Sequence, residues 1–547
     1  MCGRTPARGR VVGRLGTRIG GAARVDGDPL SSDEPPALRL WVYAVVVVGV
    51  AVLALAGVLP RWPGLAHEVA LPPLDLFADV RVLMARAPSA PVFVLGVAVA
   101  VAARAALLAT ILGSTRRQFG FVVRFYLAAL APALLASGLD FSGRAILYAY
   151  LIWGGLLISV VTFLALGPAP WVARGKLRVA RADAGRRRFR PGALLLYLVA
   201  LTIIGDIWRR PGGASQVLVV PLSGALSVLM ARRLAREPAR RLSSRWVAIV
   251  TAVALLTVGA VVAVPRLGGS SGHTAAAPRA GSLLLVAGVD TSTGHGALFR
   301  LDPGALGFSC RQTFYYSYLG PGAGGPHGDA RCPIRTGAPY GRADTTRPLH
   351  LLASALRDQL VGLDFPVVVV THSQGAFIAW SELATDHADA VRALVMLAPF
   401  AEGLAPYPPP GHDGTGAVGG TAVRLVTDLG RAAGISRFDP DAPLARELQA
   451  KSGAIERLVA RPLPRSLRVA AIVARGDLPL EPRLWPHHVP EACPGWLAHA
   501  GLPTSSRVLV VAGTFLDGRA MPGCPRWVAA LGHASDAYGA PSPAAIP

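Results

Sequence analysis

The chain has 547 residues, more than one ordinary core holds, and 52% of them are hydrophobic against 16% charged, a balance that points to membrane segments. Its formal charge is +23, yet residues 1–267 carry 32 basic and 11 acidic residues while 268–547 carry 23 and 21. A nucleic-acid partner would call for basic charge on the folded domain; here the charge lies between apolar segments, which argues against one.

Residues 1–37 are polar, rich in Arg, Gly and Pro and without periodicity, and read as a disordered tail. Residues 38–266 read as a membrane domain. The stretch 40–59 is about one bilayer long, and 91–113, 120–138, 145–167, 193–208, 215–231 and 246–265 are further candidate spans, seven in all. Basic clusters fall on alternate connections: seven Arg before the first span, Arg116 and Arg117 after the second, eight basic residues from Arg174 to Arg190 after the fourth, and Arg232 to Arg245 after the sixth. By the positive-inside rule this sets the N-terminus in the cytoplasm and everything after about 266 outside it, as a multi-pass cell-membrane protein in contact with the lipid bilayer. Arg104 falls mid-span at a cost of about 3 kcal/mol, so either it faces the bundle interior or the span is misplaced. With Arg124 and Asp206 it is the bundle's ionisable content, and no transport mechanism emerges from these three.

Residues 267–280 form a small-residue linker. Beyond it, apolar runs at 282–290, 313–320, 365–372, 392–399, 468–474 and 507–513 read as strands. A helical repeat of Leu349, Leu352, Ala353, Leu356 and Leu360, and a second after Ser373, separate some of them. Strands alternating with helices predict an α/β domain over 281–547, a mostly parallel sheet with helices on both faces. The pattern breaks over 400–466, a Pro/Gly-rich insertion with a helix near 441–460, which is either a lid or a loose loop.

Cys310, Cys332, Cys493 and Cys524 all lie in the half placed outside the cytoplasm, where four cysteines read as two disulfides. Neighbour pairing is expected among the three connectivities, with four buried thiols as the alternative. No Cys/His spacing has the form of a zinc site, and neither metal nor cofactor is expected.

Chemistry concentrates at Thr371-His372-Ser373-Gln374-Gly375, between a strand of four valines and a helix. A sharp strand-to-helix turn lifts a Ser oxygen clear of the sheet, and small residues two before and two after relieve crowding. This stretch resembles the α/β-hydrolase superfamily, lipase- and esterase-like members above all, over roughly 281–547. Thr371 departs from the usual first Gly. The resemblance implies the order Ser, acid, His. Ser373 is then the nucleophile and Asp477, in the loop after 468–474, the acid, with Asp517 in reserve. His533, after the run 507–513, takes the place of the general base, ahead of His499, His487 and His488; His372 is expected to point away and His295 to line the pocket. The N–H groups of Gln374 and Val289 are the expected oxyanion donors. A membrane-tethered serine hydrolase of lipid or cell-envelope esters follows. An acyltransferase with the same triad, and a non-catalytic receptor or transporter, stay open beside it.

Overall fold

The computed structural model describes residues 39–113, 116–172, 191–207, 217–236, 276–385, 388–449, 452–477, 489–534, 536–539 and 541. The 1–37 tail, the 246–265 span and the 267–275 part of the linker lie outside the described residues.

The N-terminal region is helical: α1 (Trp41–Leu55), α2 (Leu65–Glu68), α3 (Leu74–Arg86), α4 (Ala90–Ile111), α5 (Arg116–Ala145), α6 (Ala149–Leu166), α7 (Pro191–Ile207) and α8 (Val219–Arg236). Among the described residues three helices are long and apolar enough to cross a membrane: Ala90–Ile111, Gln118–Ala145 and Ala149–Trp171. Helices α1 and α7 are apolar but shorter. Leu95 on α4, Leu127 on α5 and Leu196 on α7 stand exposed, as lipid-facing side chains do once water is replaced by hydrocarbon.

Arg104 does face inward. Its guanidinium donates to Asp79 Oδ2 (2.8 Å) and Oδ1 (2.9 Å), to Glu68 Oε2 (2.9 Å) and to the Glu68 carbonyl (2.6 Å). Asp75 lies 3.9 Å away and accepts from the Tyr126 hydroxyl at 2.7 Å. The acids come from α2 and α3, a segment with no place among the expected spans. Helix α3 is nevertheless buried on nearly every side, with Leu74, Leu76, Phe77, Val80 and Arg81 at or below 1% exposure. A small cavity beside Asp75, Arg104, Tyr43 and Tyr126, of about 20 Å³, has room for one water.

The second region carries one six-stranded sheet, every pairing parallel, in the order β2-β1-β3-β4-β5-β6. The strands are β1 (Ser282–Val286), β2 (Thr313–Tyr315), β3 (Val367–His372), β4 (Val391–Leu397), β5 (Arg468–Ile472) and β6 (Glu491–Ala492). All residues of β1 and β3 are buried. Successive side chains point to opposite faces, so the centre of the sheet is covered on both. The helices here are α9 (Leu349–Leu360), α10 (Gly375–Leu383), α11 (Ala417–Ala432), α12 (Pro443–Glu447), α13 (Ala454–Val459), α14 (Ser506–Leu516) and α15 (Arg526–Ala534). Disulfides join Cys310 to Cys332 (Cα–Cα 5.2 Å) and Cys493 to Cys524 (4.6 Å), the neighbour pairing.

One expected strand is a helix. Residues 507–513 lie within α14, with Val508, Leu509, Val511, Ala512, Phe515 and Leu516 buried. Those positions repeat at helical spacing, with Ser505 at the N-cap and Gly518 just past the end, and that period outweighs the β-propensity of the valines. The last strand is instead the two-residue β6, too short to announce itself.

The second region packs on the helical one. Residues 38–547 form one compact unit. Helix α11, from the 400–466 insertion, packs against α3, α4 and α5. Gly414 N–H donates to Pro88 O at 2.8 Å. A Cβ at Gly419 would lie 2.5 Å from the Phe141 ring, so α11 approaches α5 as closely as a glycine permits. At the C-terminus the Tyr538 ring lies 4.7 Å from that of His67, and Thr202 Oγ1 donates to the Tyr538 hydroxyl at 3.1 Å.

Candidate active site

Strand β3 delivers the chain to the C-terminal edge of the sheet, and Ser373 turns it. Its backbone is left-handed, φ +57°, one of four such non-glycine residues described. For an L-residue this conformation costs about 1–2 kcal/mol, so the surrounding contacts must hold it. Ser373 N–H donates to Leu397 O (2.9 Å) on the neighbouring strand, while Ala376 N–H returns to Ser373 O (3.0 Å) to begin α10. Gly375 is required for packing: a Cβ there would meet Val286 O at 2.5 Å and Ala287 O at 2.9 Å, both on β1 and its end. Thr371 is fully buried and aligned with Val286 and Met396 in the sheet, so the first small position accepts a β-branched residue because it is still strand.

Gln374 is already helical, φ −56° and ψ −24°. Its N–H and that of Gly375 precede the helical ladder, at the positive end of α10. The segment after β1 lies alongside: a Cβ on Gly288 would meet Ser373 Cβ at 3.0 Å and His372 O at 3.1 Å. Val289, the next residue, is half-buried. This segment is tied on several sides. Tyr318 OH donates to Ala287 O (2.6 Å), Asp290 N–H donates to Thr345 Oγ1 (3.1 Å), and Gln374 Nε2–H donates to Thr345 O (2.7 Å). The Asp290 carboxylate accepts from Ser436 Oγ–H (2.8 Å) and Arg437 N–H (3.2 Å), in the loop that follows α11.

Asp477 follows β5 and is fully buried. Its partner is His499, whose Nδ1–H donates to Asp477 Oδ2 at 2.6 Å, and His499 follows β6. The His499 ring lies 4.7 Å from the ring of His372, the residue before Ser373. His372 Nε2–H donates to the His499 carbonyl at 3.0 Å. His372 therefore does not point away, as expected, but braces the segment bearing His499. Burial, then the neighbouring His499, holds its pKa down to about 3, so it stays neutral and keeps that donor.

At the histidine the structure offers a candidate other than the expected one. It brings Ser373, Gln374, Gly288–Val289 and Asp477 to one edge of the sheet and bonds the acid to His499, which the sequence reading ranks behind His533. His533 is in α15, which packs on α7 of the bundle; its side chain lies outside the described residues, as do His487 and His488. Asp517, the reserve acid, is a surface residue paired with Arg279 and, at 2.6 Å, with Arg519. His295 sits 3.3 Å from Asp329 on the exterior, each side chain 55% exposed.

With Nδ1–H committed to a carboxylate, the His499 ring carries its lone pair on Nε2, the tautomer a general base needs. Asp477 gains a short charge-assisted hydrogen bond that strengthens if the ring takes up a proton. Among the described residues no group of three or more His, Cys, Asp or Glu could hold a metal ion.

No protein-family model matches this chain, and no curated protein does. Among solved structures, the N-formylmaleamic acid deformylase Nfo from Pseudomonas putida S16 is similar to 42% of this chain over 93% of its own length, at 16% identity and a TM-score of 0.21. A likeness that slight has no bearing on function.

Proposed function

We propose that the chain is a membrane-anchored serine hydrolase of carboxylic esters, its second region an α/β-hydrolase domain. The observation that carries this reading is a serine at φ +57° between strand and helix, on the same sheet edge as a buried aspartate bonded to a histidine at 2.6 Å. A strained backbone held by surrounding structure is characteristic of functional sites, and strand–serine–helix is the setting of the nucleophile elbow.

In this mechanism Ser373 Oγ attacks the ester carbonyl while its proton passes to His499 Nε2. Asp477 stabilises the imidazolium. The N–H groups of Gln374 and Val289 receive the oxyanion, each worth about 10²–10³ in rate. Collapse breaks the bond to the alkoxy oxygen, which leaves as alcohol with the proton from His499. Water, deprotonated by the same imidazole, then attacks the acyl-serine and releases the acid. Ser373→Ala should lower hydrolysis of a soluble ester by roughly 10³–10⁶; unchanged turnover would refute the reading.

Placement outside the cytoplasm belongs to the same proposal. The bundle residues that touch the second region include His67, Pro88, Phe141, Arg144 and Leu147. These lie in the connections and helix ends that the charge alternation puts on the non-cytoplasmic side. The two disulfides suit that compartment.

A further inference from the structure

The turn between α5 and α6 reaches into the second region. Leu147 has a left-handed backbone, φ +59°, and its side chain is buried in the core formed around the sheet. Such a conformation persists only where the surroundings impose it. Tyr148 follows, close enough to Asp290 for that charge to add to burial and Tyr150 in raising its phenol pKa; Asp290 is next to Val289, the expected oxyanion donor. One helical turn on, the Trp153 ring lies 5.9 Å from that of Trp496, which stands three residues before His499. A bundle element thus packs into the sheet core at Leu147 and against the histidine loop at Trp153.

The depth of this contact can be worked out. Helix α6 begins at Ala149 and belongs to a span running to Trp171. Tyr148 and Tyr150 are 44% and 41% exposed at its mouth, with ring centroids 5.8 Å apart. Tyr and Trp at the end of an apolar helix mark the headgroup level. Trp153 is four residues in, about 6 Å along the axis, roughly the thickness of one headgroup layer. Trp153 thereby ties the loop that bears His499, three residues beyond Trp496, to this end of the span, near the headgroup–hydrocarbon boundary. The ester carbonyls of an acyl lipid lie at the same boundary. Ser373 itself is only 2% exposed.

We propose, resting on the hydrolase reading, that the α5–α6 turn is the acyl-chain wall of the site: Tyr148, Tyr150 and Trp153, with Trp496, hold the first methylenes of a long acyl chain at headgroup depth, and the substrate reaches Ser373 from the bilayer. The aromatic rings are rigid and present apolar faces to those methylenes, which a short acyl group lacks. The apolar surface of α6 continues from the wall into the hydrocarbon, so the acyl tail need not leave the membrane.

The test uses the full chain in phosphatidylcholine nanodiscs with two esters of one leaving group, umbelliferyl palmitate dissolved in the bilayer and umbelliferyl acetate in water. Trp153→Ala and Tyr148→Ala should each lower kcat/KM for the palmitate about tenfold or more while changing the acetate less than about threefold. Trp153→Phe should restore most of the palmitate rate. Equal losses on both esters, or no palmitate loss in either variant, would overturn this inference and leave the hydrolase reading intact. No turnover of either ester by the unaltered protein would overturn the hydrolase reading itself.

Discussion

The left-handed backbone of Ser373 permits a comparison in which stability and activity part company. Ser373→Ala and Ser373→Gly both remove the hydroxyl, so neither should hydrolyse an ester. They differ in the backbone: alanine inherits the φ of +57°, whereas glycine adopts it freely. The conformation costs an L-residue about 1–2 kcal/mol. Glycine gives back about 0.4–1 kcal/mol through the greater freedom of its unfolded chain. The glycine variant should therefore be the more stable by about 1 kcal/mol. For a chain of this size that is an apparent Tm difference of roughly 1 °C, measurable by replicate intrinsic-fluorescence melting of both variants in one detergent. A glycine variant that melts below the alanine variant would refute the claim that this turn stores strain.

Other consequences follow from groups away from the nucleophile. His372 has its pKa lowered from an ordinary value near 6.5 to about 3 by burial, so between those values the unfolded chain binds the extra proton. The stability it contributes is complete above about pH 6.5 and drains as pH falls toward 3, by about 2 kcal/mol at pH 5. Melting between pH 7 and 5 should show that loss, and His372→Asn should flatten the slope; an unchanged slope would contradict the buried neutral ring. Arg104 holds Glu68 and Asp79, with side-chain exposures of 11%, 2% and 17%. Arg104→Leu leaves the two acids uncompensated and should destabilise by about 3 kcal/mol, seen as earlier thermal unfolding in micelles. A melting point within 1 °C or so of the unaltered protein would show that the acids are otherwise neutralised.

The sheet was legible because its central strands are buried on both faces. Runs such as Val367–Val370 carry that burial as unbroken apolar sequence. The serine was legible because a strand-turn-helix leaves a local signature at Ser373-Gln374-Gly375. The histidine that Asp477 bonds, His499, was less so, and the cause can be traced. Valines at 508, 510 and 511 gave α14 the look of a last strand, which moved the expected place for the general base past His499 to His533. The actual last strand, Glu491–Ala492, has two residues and no periodicity to detect. Read at its helical spacing, Val508, Leu509, Val511, Ala512 and Phe515 would have removed the false strand and brought His487, His488 and His499 forward as histidines after Asp477. The segment from Leu65 to Arg86 was missed for another reason. It is too short and too charged to span a bilayer, and its burial depends on Arg104 from a helix far along the chain. The docking of α11 on the bundle likewise depends on long-range contacts at Gly419 and Phe141 that no local pattern records.

The central claim is that Ser373 is activated by His499, itself oriented by Asp477. A fluorophosphonate probe reports this directly, because it labels a serine only when a base withdraws the proton. The account predicts labelling of the unaltered protein, loss in Ser373→Ala and in His499→Ala, and retention in His533→Ala. Labelling that survives His499→Ala and disappears in His533→Ala would contradict it.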